Sequence, residues 1–215
     1  IRLKEAELSV PEEIAPYISA SAIRYKPAAD LEELVNLSTH IALVEVKEVL
    51  GETPIYVPEE GPSSLYDNGK LVFESVAPVW RVEVMEAIKG NFSTQCIDVA
   101  QPAVILGPMA EKYGFKPYMF PTPIKVDIGE RLILFMVKLS REEVENLFPE
   151  ISGNVSTLYM VSDPSGVMKI IDSQVYSAQH YIYEDWAERL RIDVDGIDVE
   201  VFIDGLRLIV EMGKG

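Results

Sequence analysis

Six consecutive apolar residues, LILFMV at positions 132–137, constrain the fold of this chain more than any other feature. Successive side chains of a β-strand point to opposite faces, so a strand that is apolar at every position must be covered on both sides. We therefore predict a central strand here. It is either sandwiched between two layers or a barrel strand with a helix behind it.

Two further segments alternate between apolar and polar residues in the way that half-buried strands do. Residues 41–49 (IALVEVKEV) begin apolar on both faces and then alternate. Residues 80–84 (WRVEV) alternate and lead to a Lys-Gly-Asn turn at 89–91, after which residues 96–99 (CIDV) alternate again. The pattern predicts a β-hairpin in which Cys96 faces away from the buried side.

Three polar residues are placed to cap helices. Asp30 and Ser140 are each followed three residues later by Glu, which is capping-box spacing, and Asp198 precedes an apolar stripe at helical spacing. They predict a short N-terminal helix, a short mid-chain helix and a C-terminal amphipathic helix.

Another strand pair is expected between the second and the third helix. Strands at 157–162 and 167–172 are joined by Asp-Pro-Ser-Gly, which predicts a tight reverse turn between them.

The order of these elements lacks the regular strand–helix alternation of a parallel α/β sheet. It predicts an α+β fold, with a mostly antiparallel sheet or a small barrel flanked by the three helices. Residues 1–28, rich in Pro, Ala and Glu, are interpreted as an N-terminal arm, and residues 29–215 as a single β-rich domain. Two long loops are expected, at 51–70 and at 101–129.

Residues 38–49, the segment VEVMEAIKGN at 82–91 and GERLILFMV at 129–137 together resemble a pattern found in secreted bacterial proteins of unassigned function. Those proteins look like five-stranded barrels of the oligonucleotide/oligosaccharide-binding (OB) type, similar in shape to netrin-like and metalloproteinase-inhibitor domains. The resemblance implies an OB-like barrel over about residues 38–139. It does not imply inhibition, because netrin-like inhibitors depend on several cysteines and this chain has only Cys96.

The charge balance restricts the partners. Lys and Arg total 19 against 35 Asp and Glu, a net charge of −16, which repels nucleic acid and anionic lipid. The sequence contains no apolar run long enough for a transmembrane helix. It starts at Ile1 without an initiator Met, as a protein processed from a leader does, and we expect an extracellular or cell-surface location.

No motif in the sequence predicts catalysis, a cofactor or a metal site. The histidines, His40 and His180, lie outside any zinc or nucleophile motif, and a structural role is expected for both. The single cysteine excludes an internal disulfide and a cysteine-based metal cluster. The acids of residues 193–198 lack the spacing of a calcium loop and are interpreted as a turn before a capped helix.

The candidate binding residues are four aromatic side chains in the second long loop, namely Tyr113, Phe115, Tyr118 and Phe120. They could form a rigid platform for a peptide or a sugar, or a lid folded over one end of the barrel. The first possibility predicts a binding module that contacts protein or carbohydrate through its loops. The alternatives are a hydrolase with carboxylates from separate strands, and a structural or assembly subunit.

Overall fold

The computed structural model describes residues 28, 30–57, 61–113, 123–155, 157–163, 165–178 and 194–213. This part of the chain is mostly β-sheet with three short α-helices, so the α+β prediction is confirmed. Of the predicted N-terminal arm, the structure describes only Ala28, which is buried in the core. No helix in the described ranges has the length and apolar character needed to cross a membrane.

The three helices begin where the sequence predicted. They are α1 (Leu31–Leu37), α2 (Arg141–Leu147) and α3 (Val199–Met212), with Asp30, Ser140 and Asp198 as their N-caps. Each cap side chain accepts a hydrogen bond from a backbone amide of the first turn, which would otherwise lack a partner.

Twelve strands are described, ten of them in one sheet. They are β1 (His40–Pro54), β2 (Tyr56–Val57), β3 (Gly61–Pro62), β4 (Ser64–Asp67), β5 (Lys70–Lys89), β6 (Cys96–Ala100), β7 (Ala103–Leu106), β8 (Arg131–Lys138), β9 (Leu158–Val161), β10 (Val167–Ile171), β11 (Gln174–Ser177) and β12 (Ile197–Asp198). β2 and β3 pair with each other in a separate sheet.

Five of these strands are each paired on both sides. β1 pairs with β5 and with β8, β5 also pairs with β6, and β8 also pairs with β9, all antiparallel. β6 and β9 pair in parallel. The order β1–β5–β6–β9–β8 therefore returns to β1, and the predicted hairpin of β5 and β6 is confirmed.

β8 is the predicted central strand. Ile133 and Phe135 point into a core cluster shared with α1 and α3. Leu132, Leu134 and Met136 point into a second cluster, formed mainly by the other strands of this set. All five side chains are fully buried, because each face of the strand meets a different apolar layer.

The predicted reverse turn after residue 162 is confirmed, because the amide of Gly166 donates to the backbone oxygen of Asp163 at 2.8 Å, but the strands on either side of it do not form a hairpin. β9 and β10 both pair with β8, one after the other along the same edge. The backbone oxygen of Phe135 accepts from the amide of Ser162 at 2.9 Å, and the amide of Phe135 donates to the oxygen of Gly166 at 2.9 Å. The residues between are a local excursion from an otherwise continuous edge, and β10 forms its hairpin with β11 instead.

The prediction of a long loop at 51–70 was also wrong. β1 continues to Pro54, and β4 forms a hairpin with the start of β5 through Asn68 and Gly69, both of which have positive φ. β7, within the second predicted loop, pairs with the other side of β5. We call β4, β7, residues 70–76 of β5 and the 3-10 helix Glu111–Tyr113 the extension. It has its own small apolar core.

Candidate functional site

Of the four predicted aromatic residues, the structure describes Tyr113. It ends the 3-10 helix of the extension and is half-buried against the small apolar core there. The Lys112 ammonium lies 5.1 Å from the centroid of its ring. This placement is structural packing within the extension. Phe115, Tyr118 and Phe120 lie outside the described residues, so the aromatic platform remains a prediction.

A cavity that the sequence did not predict lies between the β1–β5 pair and the connection from α2 to β9. Its volume is about 210 Å³. One wall comes from the two strands and the other from the connection, which packs on a core cluster shared with α2. The lining residues are Leu50, Gly51, Glu52, Thr53, Val79, Arg81, Ile151, Asn154 and Val155.

A β-bulge shapes the mouth of this cavity. Val49 is opposite Trp80 and Gly51 is opposite Val79, so Leu50 is the extra residue of β1. Gly51 has φ +105°, a conformation that residues with a side chain rarely adopt. The bulge leaves the side chains of Val49 and Leu50 46% and 39% exposed. A glycine inside an alternating strand pattern was the available sequence signal for it.

Thr53 lines the cavity and has a buried hydroxyl group without a partner among the described residues. The residue is 3% exposed, and its Oγ1 atom is buried and has no hydrogen-bond partner among the described residues. A buried polar group that lacks a partner typically costs about 1–3 kcal/mol of stability. Such a group in a native protein calls for an explanation, and a bound partner is one.

Replacing Thr53 with valine is expected to raise the free energy of unfolding by about 1 kcal/mol, because valine keeps the shape and removes the unpaired hydroxyl. Urea denaturation measures the change. The matched control is Ser38→Ala, since the buried Ser38 hydroxyl donates to the backbone oxygen of Leu34 at 2.8 Å and lies 2.7 Å from the Ser162 hydroxyl. The free energy of unfolding of that variant is expected to fall by about 1 kcal/mol. An equal loss in both variants would contradict the interpretation of Thr53.

The rim of the cavity carries an ion-pair network centred on Arg81. The Nε and Nη2 atoms of Arg81 donate to the two carboxylate oxygens of Asp98, at 2.9 and 3.3 Å, and Nη1 donates to Glu48 at 3.1 Å. The hydrogen bonds to Asp98 raise the pKa of Arg81. Arg81, Asp98 and Glu48 together carry one net negative charge, and the lining residue Glu52 adds a second.

His40 begins β1 and contacts two aromatic rings. Its ring centroid is 5.1 Å from that of Phe92 and 5.0 Å from that of Tyr159. Burial lowers the pKa of the His40 imidazole and raises that of the Tyr159 phenol. The imidazole is also 2.9 Å from the hydroxyl of its neighbour Thr39. These contacts give His40 a packing role at the strand end, and His180 lies outside the described residues.

The hydrolase alternative requires two carboxyl groups with raised pKa in one cleft. Within the described ranges, the pKa of two carboxyl groups departs clearly from its usual value, and both are lowered. The Lys112 ammonium lowers the pKa of Asp67, and the backbone amide of Ser140 lowers that of Glu143. In the same part of the chain, no three histidine, cysteine or acidic residues come together as metal ligands.

The acids near the C-terminal helix have the predicted structural roles where they are described. Asp198 caps α3, and Asp195 accepts a hydrogen bond from the amide of Ser177 at 2.9 Å. Asp193 lies outside the described residues. Cys96 is exposed, as the strand alternation predicts.

Comparison with known proteins gives no match for this chain. No protein-family model fits it, and neither a curated protein nor a solved structure matches it.

Proposed function

We propose that this protein is a binding module built on an OB-like barrel, that it acts outside the cell or at its surface, and that its partner occupies the cavity beside Thr53. The barrel proposal is supported by five strands that are each paired on both sides in an order that returns to β1. The location is supported by the resemblance of residues 38–139 to secreted proteins.

One observation carries the binding proposal, namely an apolar cavity lined by Thr53, a buried residue whose hydroxyl has no partner among the described residues. Binding sites are commonly concave and apolar, with a few polar groups that orient the ligand. At about 210 Å³, this cavity is smaller than the roughly 300–1,000 Å³ of sites for drug-sized ligands. It suits one amino-acid side chain or one sugar ring.

The electrostatics support a neutral or positively charged partner. The mouth of the cavity carries two net negative charges, and the whole chain carries −16. A field of this sign attracts cationic partners and repels anionic ones such as nucleic acid. The ion pairs of Arg81 with Asp98 and Glu48 leave its guanidinium charge compensated.

A titration followed by NMR tests the proposed site. The probes are N-acetyl-leucine amide, for a protein side chain, and N-acetylglucosamine, for a sugar. We expect one of them to shift the methyl signals of Val79, Ile151 and Val155 in a saturable way. We also expect Thr53→Val to lower the affinity for that probe about fivefold, because a hydrogen bond to the Thr53 hydroxyl would be lost. If neither probe shifts these signals, the cavity is not the binding site. Saturable shifts confined to Tyr113 would assign binding to the aromatic loop.

A further inference from the structure

We propose that the occupant of the cavity is an apolar side chain from a positively charged segment of a partner protein, and not a carbohydrate. This inference rests on the proposed function, and it names the class of partner for the same site. Three properties of the cavity support it: the aliphatic side chains of its walls, the exposed Leu50, and the local charge.

The walls are mainly aliphatic. The apolar lining side chains are Leu50, Val79, Ile151 and Val155. A sugar ring carries hydroxyl groups around its whole edge, and each one that is buried without a hydrogen bond costs free energy. An aliphatic side chain has no such groups. The peptide group next to that side chain would lie near Thr53, whose hydroxyl has no partner in the part of the chain that the structure describes.

The apolar lining of the cavity is partly exposed. Leu50, the extra residue of the bulge, lines the cavity and is 39% exposed. A protein segment that inserts one side chain also covers the surface around it, and such well-packed anchors contribute most of the affinity at protein interfaces. The exposed Leu50 beside the cavity is therefore available to a polypeptide partner.

The charge at the mouth favours a basic segment. Glu48 and Glu52 are both exposed, and the lining residue Arg81 is held by Asp98. Lysine or arginine next to the inserted side chain would face these carboxylates, whereas acidic neighbours would be repelled. Attraction between exposed charges is screened by salt, so the affinity should fall as the ionic strength rises.

Four probes separate these requirements in NMR titrations of the full chain. They are the capped tripeptides Lys-Leu-Lys, Lys-Ser-Lys and Glu-Leu-Glu, and N-acetylglucosamine. We expect Lys-Leu-Lys to saturate the signals of Val79 and Ile151 with an affinity at least tenfold above each of the others. We also expect its affinity to fall about threefold when the salt concentration rises from about 50 to 500 mM.

Leu50→Ser and Leu208→Ser provide matched variants, because both leucines are exposed and neither replacement removes a buried side chain. Leu50 lines the cavity, whereas Leu208 lies on α3, which packs on a different core cluster. We expect Leu50→Ser to lower the affinity for Lys-Leu-Lys at least fivefold and Leu208→Ser to leave that affinity unchanged. Equal effects of the two variants would overturn the inference.

The remaining outcomes distinguish this inference from the proposed function. Occupation of the cavity by N-acetylglucosamine with equal or higher affinity than Lys-Leu-Lys would overturn the inference and leave the binding module in place. Equal affinities for Glu-Leu-Glu and Lys-Leu-Lys would contradict the inference that the partner segment is positively charged. If none of the four probes occupies the cavity, both the inference and the proposed site are wrong.

Discussion

Replacing Gly107 with alanine is expected to lower the free energy of unfolding by about 3 kcal/mol, because an added Cβ has no space. It would lie 2.1 Å from the backbone oxygen and 2.5 Å from the carbonyl carbon of Leu71. The amide of Gly107 also donates to the backbone oxygen of Val72 at 2.9 Å. The clash is with backbone atoms of β5, so the segment after β7 must move away from that strand to relieve it.

Gly205→Ala is the matched control, since the chemical change is the same and the expected sign is opposite. Gly205 lies within α3, and an added Cβ would meet no atom within 4 Å. Alanine is the better helix former by about 0.5–1 kcal/mol, so this variant should be more stable than the parent protein. Urea denaturation of both variants measures the effects. If Gly107→Ala unfolds at the parental urea concentration, the close approach of Gly107 to β5 is wrong.

The second large effect is expected from Asp163→Ala, which should lower the free energy of unfolding by about 3 kcal/mol. Asp163 is 1% exposed, and its carboxylate oxygens accept from the amides of Ala28 at 2.9 Å and Ser165 at 2.8 Å. Alanine leaves the buried amide of Ala28 and the partly buried amide of Ser165 without that acceptor, and hydrogen bonds to charged groups are worth about 1.5–3 kcal/mol each. The bond to Ala28 joins the end of the predicted N-terminal arm to the excursion between β9 and β10.

Two measurements check this prediction. Urea denaturation gives the loss of stability, and amide hydrogen exchange reports whether Ala28 opens more often in the variant. Asp204→Ala is the control, because Asp204 is 71% exposed and its ion pair with Arg207 is at the surface. Such pairs contribute little, so a change within about 0.5 kcal/mol is expected. If the amide of Ala28 exchanges at the same rate in Asp163→Ala as in the parent protein, its hydrogen bond to Asp163 does not hold Ala28 in place.

The Gly107 variant also separates the two candidate binding surfaces. Gly107 connects β7 to the turn that precedes the 3-10 helix, and Tyr113 ends that helix. The cavity is formed by other parts of β1 and β5 and by the connection after α2. A variant that alters the extension alone should therefore keep its affinity for a probe in the cavity and lose affinity for a ligand of the aromatic loop.

The features that the sequence predicted correctly depend on local chemistry. Asp30, Ser140 and Asp198 cap helices because a short polar side chain reaches the free amides of its own first turn. The run at 132–137 forms a buried strand because no solvated strand is apolar at every position. The turn at 89–91 joins β5 to β6 because those two strands are neighbours in sequence.

The strand pairing and the cavity were decided by the tertiary structure, because they depend on contacts between distant segments. The turn sequence Asp-Pro-Ser-Gly suits a hairpin and a strand excursion equally, and the available edge of β8 decided between them. Thr53 lay in a predicted loop because a bulge interrupts the alternation of β1. Thr53 lines a cavity only because residues 151–155 fold back beside β1, a contact across about a hundred residues that no local pattern in the sequence encodes.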